Sequence, residues 1–273
     1  MTTKRTKILL VDTERGASGF KTMPNVVVED CSPDDTQTAF EKADKFLLRL
    51  FTDPKTLEGF SHLVVDTVSS LFSITRHELI QASAGSLWSK RGLYASDPRG
   101  DYRATNDLMA RLLQYYRKLP VPTVFVAHED ERVDPSGAVL RGPAVSPGLL
   151  KDLIGWSHVV AHLGIVPKDV KLAGGEVIRA GTRRLRVAPD GRYMVKARRR
   201  VDLAPLPPVI LTPHLADLLD ILAGTGEPNA WAVIYGPPGV GKTSLTVGAE
   251  YKESNGGPAT EAVVEEEKEA TAA

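Results

Sequence analysis

The chain has 273 residues, enough for one large α/β domain or two small ones with a sizeable core and no covalent staples. A single cysteine, Cys31, excludes an internal disulfide and suits a reducing compartment, while 42% apolar and 25% charged residues are ordinary for a soluble globular protein. Formal net charge is zero but unevenly placed: residues 176–200 carry nine basic side chains against two acidic ones, and residues 261–269 carry five glutamates against one lysine.

Such a basic strip and acidic tail read either as a polyanion-binding surface screened by the chain's own tail, or as a solvated face with a solubilising tail. The amino-terminal residues are basic, but the apolar run behind them covers only residues 8–11 before Asp12, so no signal peptide is expected. Nor is there a run of about 18 uncharged apolar residues, the length a spanning helix needs. The expectation is a soluble, cytoplasmic protein with no membrane partner.

In chain order, residues 7–11 (KILLV) form a run of strand length ending in Asp12, Thr13 and Glu14, followed by a loop with Gly16 and Gly19. Residues 32–35 (SPDD) supply a helix cap, a proline for the first helical position and first-turn acids. They predict an amphipathic helix through Phe40, Ala43, Phe46, Leu47, Leu50 and Phe51. A second buried strand, residues 62–65 (HLVV), ends in Asp66 and leads to a helix through Leu71 and Ile74. Residues 83–103 read as a basic loop ahead of a helix over residues 106–119. The third strand, residues 122–127 (PTVFVA), ends at His128 and gives way to a long polar loop over residues 129–148.

Residues 159–166, 176–187 and 192–197 read as strands, the last two joined by a turn at Pro189, Asp190 and Gly191. A helix through Leu215, Leu218, Leu219 and Leu222 and a linker over residues 223–229 lead to the last strand, residues 230–235. A glycine loop follows, then a helix from about Lys242 to Ser254. Residues 255–273, with no aromatic residue, read as a disordered acidic tail. The alternation predicts an α/β fold, one domain over residues 1–254, with a mainly parallel sheet and helices on both faces.

The chemistry concentrates in residues 236–243 (GPPGVGKT), which match G-x-x-x-x-G-K-[ST] between an apolar strand and a helix. Gly236, Pro237, Pro238, Gly239, Val240 and Gly241 let the backbone wrap phosphates, so that amide N–H groups of the loop through Ser244 face the anion. Lys242 is expected to reach the β and γ phosphates of ATP and Thr243 to ligate Mg²⁺. Asp66, at a strand end, has the position of a Walker B acid that holds the metal through water. Glu14 is the candidate general base, with Asp12 its competitor, because hydrolysis needs a carboxylate to orient or deprotonate a water. His128 is placed to bond the γ phosphate and report its loss. No Asp-x-x-Gly follows Asp66 and no Asn-Lys-x-Asp reads guanine, which favours ATP over GTP. Six histidines and one cysteine show no zinc spacing.

Taken together, YGPPGVGKTSL, ILLVDTERG, HLVVDTVSSL, DYRATNDLMARLLQYYRKLP, VFVAHEDE and GPAVSPG resemble the short RecA-like ATPases encoded by bacteriophages and associated with single-strand annealing and recombination. The resemblance implies a RecA-type P-loop core, DNA-stimulated ATP hydrolysis, and assembly on single-stranded DNA as a homo-oligomeric ring or filament in the host cytoplasm. Catalysis would fall at a subunit interface. Glu14 would be the catalytic glutamate, Asp66 the Walker B acid and His128 the sensor. Lys196 and Arg198 would form the basic motif that reaches a neighbour's ATP, although Ala197 stands between them where the family has an acid. Lys90, Arg91, Arg99, Arg103, Arg132 and Arg141 would line the DNA channel through sequence-tolerant backbone contacts.

Motif order departs from the family. The phosphate loop stands near the carboxyl terminus, so the chain reads as circularly permuted, with the old ends bridged by residues 204–229 and the loop free to dock in its own sheet or a neighbour's. Two other readings use the same core: a nucleotide-binding assembly protein with little turnover, and a helicase or packaging motor. A single-strand-binding protein is a further candidate partner, through the acidic tail.

Overall fold

The structure, a computed structural model, describes residues 7–91, 98–133, 136–171 and 175–249, and of residues 81–91 and 98–101 the helical backbone alone. Strand β1 (Lys7–Asp12) is buried from Ile8 onward, as its unbroken apolar run requires. A short helical turn (Gly16–Phe20) leads to β2 (Val26–Asp30), an edge strand parallel to β1 that the sequence reading passed over. Helix α1 (Ala39–Thr52) begins later than residues 32–35 predict. Thr38 is its cap, the hydroxyl accepting from the Glu41 N–H at 3.1 Å while the Glu41 carboxylate accepts from the Thr38 N–H at 3.2 Å. Residues 32–35 instead enter a turn closed on the Asp34 carboxylate, which accepts from the Thr36 and Gln37 backbone.

Strand β3 (Phe60–Asp66) is followed by α2 (Val68–Arg91) and α3 (Pro98–Tyr116). Most of the expected basic loop is therefore helix. One glycine, Gly85, costs about 1 kcal/mol of helix propensity, too little to stop a helix of this length. Strand β4 (Thr123–Val133) runs past His128 and turns into β5 (Val139–Pro143), pairing Glu129 with Pro143 and Val133 with Val139. The expected polar loop is thus a hairpin whose solvated residues hid its strand character, with Gly137 at φ +89° in the turn. Helix α4 (Pro147–Trp156) is capped by Ser146.

Strand β6 (Val159–Ile165) is followed by the small ribbon of β7 (Val170–Lys171) and β8 (Val177–Ile178), then β9 (Arg183–Arg186) and β10 (Lys196–Ala197). The expected hairpin between the last two does not form. Both pair antiparallel with β6, β9 with residues 162–165 and β10 with residues 159–160, and the Asp190 turn is an excursion between them. Strand β11 (Val209–Leu211), unforeseen in a proline-rich stretch, pairs with β9. Helix α5 (Leu215–Ala223), strand β12 (Trp231–Gly236) and helix α6 (Lys242–Val247) complete the described chain. Gly248, left-handed at φ +71°, ends α6 well before Ser254. The acidic tail lies outside the described residues.

The main sheet has the order β11-β9-β6-β12-β4-β3-β1-β2, parallel from β6 to β2. Strand β12, the last of the described strands, lies between β4 and β6 of its own sheet. Alternate strand residues face opposite layers: Leu9, Leu63, Phe125 and Val233 pack under α1 to α4, while Ile8, Val64, Val124 and Ala232 pack under α5 and α6. This is the expected α/β class with helices on both faces. No helix among the described residues is long and apolar enough to cross a membrane.

Candidate functional site

Parallel strands present their carboxyl ends along one edge of the sheet. Asp12 of β1 is in register with Asp66 of β3, and His128 of β4 with Gly236 of β12. Four residues that sequence places far apart thereby end on one line, the edge where open α/β sheets bind ligands.

The phosphate loop leaves β12 at Gly236, where a Cβ would stand 1.9 Å from the Leu163 carbonyl oxygen, so only glycine lets β6 approach this closely. Gly239 and Gly241 take positive φ, +80° and +77°, which turn the chain back into α6. Lys242 is buried, its ammonium donating to the carbonyls of Gly236 at 2.8 Å and Pro237 at 2.7 Å. Burial pushes its pKa down to about 8, against the opposing pull of Asp66, Glu129 and Glu14.

Thr243 donates its hydroxyl to the Asp66 carboxylate at 2.7 Å, which joins the loop to β3. Burial pushes the Asp66 carboxyl up to about 6, with Glu14 and Asp12 adding and Thr243 and Lys242 opposing. Two hard oxygens, one of them a buried carboxylate with too little positive charge beside it, fit a divalent cation such as Mg²⁺. Thr243 and Asp66 would hold it, and it would supply positive charge to the β and γ phosphates of a bound nucleotide.

Asp12 does not compete with Glu14. Its carboxylate is taken up by backbone N–H groups, those of Glu14 at 3.0 Å, Gly16 at 3.2 Å and Ala17 at 2.9 Å, and so shapes the turn after β1. Glu14 instead turns toward β3 and β4. Its Oε1 accepts from the Thr67 hydroxyl at 2.5 Å, from the Ser70 hydroxyl, and from His128 Nε2 at 3.2 Å. The His128 hydrogen bond, with those of Ser70 and Thr67, holds the Glu14 carboxyl down to about 2 against the effect of burial. The His128 backbone N–H in turn donates to Ser69 at 3.0 Å.

Sequence reading missed the hydroxyls of Thr67, Ser69 and Ser70, though the run TVSS directly after Asp66 was the available signal. It also missed His62. Fully buried in β3, the His62 ring bridges Ser61 at 2.8 Å and the Thr246 carbonyl of α6 at 2.8 Å, and burial depresses its pKa. Beside the loop, Glu129 pairs with His162 at 2.5 Å, and Tyr235 donates to the Arg141 carbonyl at 2.9 Å.

The remaining predicted residues lie elsewhere. Lys196 and Arg198 sit beside the first residues of β6, at the far end of that strand from the loop. They donate to carbonyls at the end of α4: Lys196 to Ile154 and to Gly155 at 3.4 Å, Arg198 to Gly155 at 3.3 Å. Cations there complement the helix dipole. Arg132 is engaged with Asp130 at 3.4 Å and with the Val145 carbonyl, and Arg141 with Glu131 at 2.6 Å and Glu129 at 3.7 Å. Arg103 lines a cleft of about 670 Å³ between α3 and α4 with Tyr102, Asn106 and Asp152. The side chains of Lys90, Arg91 and Arg99 lie outside the described residues.

Comparison with curated proteins and with solved structures finds no match. A family model described as AAA domain matches residues 1–200, the part of the chain that carries Glu14, Asp66 and His128 but not the phosphate loop. With that match over most of its length and a mainly parallel RecA-like sheet, the chain belongs to the AAA domain family, a P-loop nucleoside-triphosphatase fold.

Proposed function

We propose that the chain is an ATPase that acts on single-stranded DNA in recombination or strand annealing, of the kind encoded by bacteriophages, and that it is a circular permutation of that architecture. The observation that carries the reading is the single edge on which a phosphate loop, a Thr243–Asp66 pair and a Glu14–His128 pair meet. Lys242 exchanges its loop carbonyls for β and γ phosphate oxygens, and Glu14 orients the attacking water while His128 answers to the γ phosphate. The permutation draws support from β12, the last described strand, lying between β4 and β6 in its own sheet. Glu14 and the loop stand at the same edge of the sheet, which is what favours turnover over the assembly protein without it.

Lys196 and Arg198 lie remote from the loop of their own chain, so the role that the resemblance gives them is one in trans, on a neighbouring copy's nucleotide in a ring or filament, and their hydrogen bonds to the α4 carbonyls would have to open for it. DNA contact by the segments that follow β3 and by the β4–β5 hairpin follows from the resemblance rather than from a contact in this chain, and the ion pairs of Arg132 and Arg141 would have to open for it. Steady-state ATP hydrolysis with and without single-stranded DNA tests the whole. DNA-stimulated turnover that is abolished by Glu14→Gln and by Lys242→Ala is expected. Binding without hydrolysis under every condition would return the protein to the assembly reading, and strand unwinding would move it to the motor reading.

A further inference from the structure

We propose that Thr67 and Ser70 are positioning residues for Glu14, fixing which of its two carboxylate oxygens faces the reacting water. The inference rests on the reading of Glu14 as the carboxylate that orients water.

Three donors from two elements converge on Oε1: the Thr67 hydroxyl just ahead of α2, the Ser70 hydroxyl in its first turn, and Nε2 of His128 on β4. All three fall on the same one of the two carboxylate oxygens. A carboxylate oxygen only accepts, so His128 carries its proton on Nε2 in this contact. The other end of the histidine is held as well, because its backbone N–H donates to Ser69. The first turn of α2 therefore brackets the carboxylate from the turn after β1 and the imidazole from β4 at once.

Helix capping accounts for only part of this. Thr67 Oγ1 accepts the Ser70 N–H at 3.1 Å, as a capping hydroxyl does, and that use takes a lone pair and leaves the O–H to point elsewhere. It points to Glu14. Ser70 has no capping role, and its hydroxyl makes its one hydrogen bond among the described residues to the same oxygen. Thr67 is anchored in its own right, its N–H donating to the Thr13 hydroxyl at 3.0 Å. Both hydroxyls thus stand on rigid supports, which is what holding a flexible glutamate to a single rotamer requires.

With Oε1 saturated, Oε2 is the oxygen left to accept from water. If the γ phosphate draws His128 away, the two hydroxyls still hold Oε1, so the carboxylate stays aimed while the imidazole moves. The hydroxyls therefore act on the chemical step and not on nucleotide affinity.

The test is steady-state ATP hydrolysis by the full chain with Mg²⁺, comparing the parent with Ser70→Ala, Ser70→Thr, the double variant Thr67→Val with Ser70→Ala, and Glu14→Gln. Alanine favours a helix, so Ser70→Ala is expected to stay folded. Its kcat should fall about tenfold, and that of the double variant about a hundredfold, the scale of a displacement of about 1 Å in a catalytic group. KM for ATP should change less than about twofold, and Ser70→Thr, which keeps the hydroxyl, should restore most of kcat. If Glu14→Gln is inactive while Ser70→Ala and the double variant turn over at the parent rate, the positioning role is wrong and Glu14 keeps its own. Parallel losses in kcat and in affinity without rescue by threonine would reduce both hydroxyls to structural parts. Hydrolysis that survives Glu14→Gln, or is absent from the parent, overturns the Glu14 reading and this inference with it.

Discussion

Replacing His62 by leucine should remove a tie between the strand that ends in Asp66 and the helix that follows the phosphate loop. The ring is fully buried and its Nε2 lies 2.8 Å from the Thr246 carbonyl. Leucine fills similar space but donates nothing, so that carbonyl is left without its partner in the core, at a cost of about 1–3 kcal/mol. For a domain of this size the melting temperature should fall by about 2–4 °C per kcal/mol. Proton linkage supplies a second signature. Burial depresses the folded-state pKa of His62, so the unfolded chain binds a proton that the folded one resists, and stability falls as pH drops through the ordinary histidine value of about 6.5. The parent should therefore be less stable at about pH 5.5 than at about pH 7.5. Urea unfolding of parent and His62→Leu at both pH values separates this from the buried His162 and the half-buried His158, which both proteins keep. The gap between the two proteins should narrow at the lower pH. An equal gap at both pH values, or a variant as stable as the parent, would refute the account of His62 as a neutral buried donor.

Asp66→Asn should leave the nucleotide-free protein at least as stable at neutral pH. Burial lifts this carboxyl from 3.8 to about 6, so its ionisation in the fold costs about 3 kcal/mol that asparagine avoids. The sign is that of a raised carboxyl: stability is lost as pH rises through that window, and thermal melts with and without Mg-ATP should show the variant losing the ligand's stabilisation instead. Thr38→Ala removes the cap of α1 and should cost about 0.5–2 kcal/mol with no change in nucleotide affinity, measurable by urea unfolding beside a nucleotide-binding titration. An unchanged midpoint would mean that the cap is satisfied by water.

Local pattern carried much of this protein. Residues 236–243 identify themselves because the phosphate loop is one contiguous run whose glycines and lysine act through neighbouring backbone. Strands β1, β3, β4 and β12 are legible as apolar runs because both faces of each are buried. Edge strands are not: β2 and β11 are partly solvated, and the β4–β5 hairpin projects polar residues, so periodicity says loop where backbone pairing says strand. The start of α1 was misread because residues 32–35 and Thr38 both carry capping chemistry, and only the Thr38–Glu41 exchange is made.

The candidate site divides along the same line. Sequence by itself determined that this chain has a G-x-x-x-x-G-K-[ST] run, acids at strand ends and a histidine after an apolar strand, since each is a property of a few adjacent residues. Tertiary structure alone decided that Asp12 serves its own turn while Glu14 meets Thr67, Ser70 and His128, that His62 reaches Thr246, and that the last strand enters the middle of the sheet. The reason is physical. The contacts of Glu14 and His62 join residues 53 to 184 positions apart, and they are set by strand order and register, which follow from burying two faces of one sheet at once rather than from any local window.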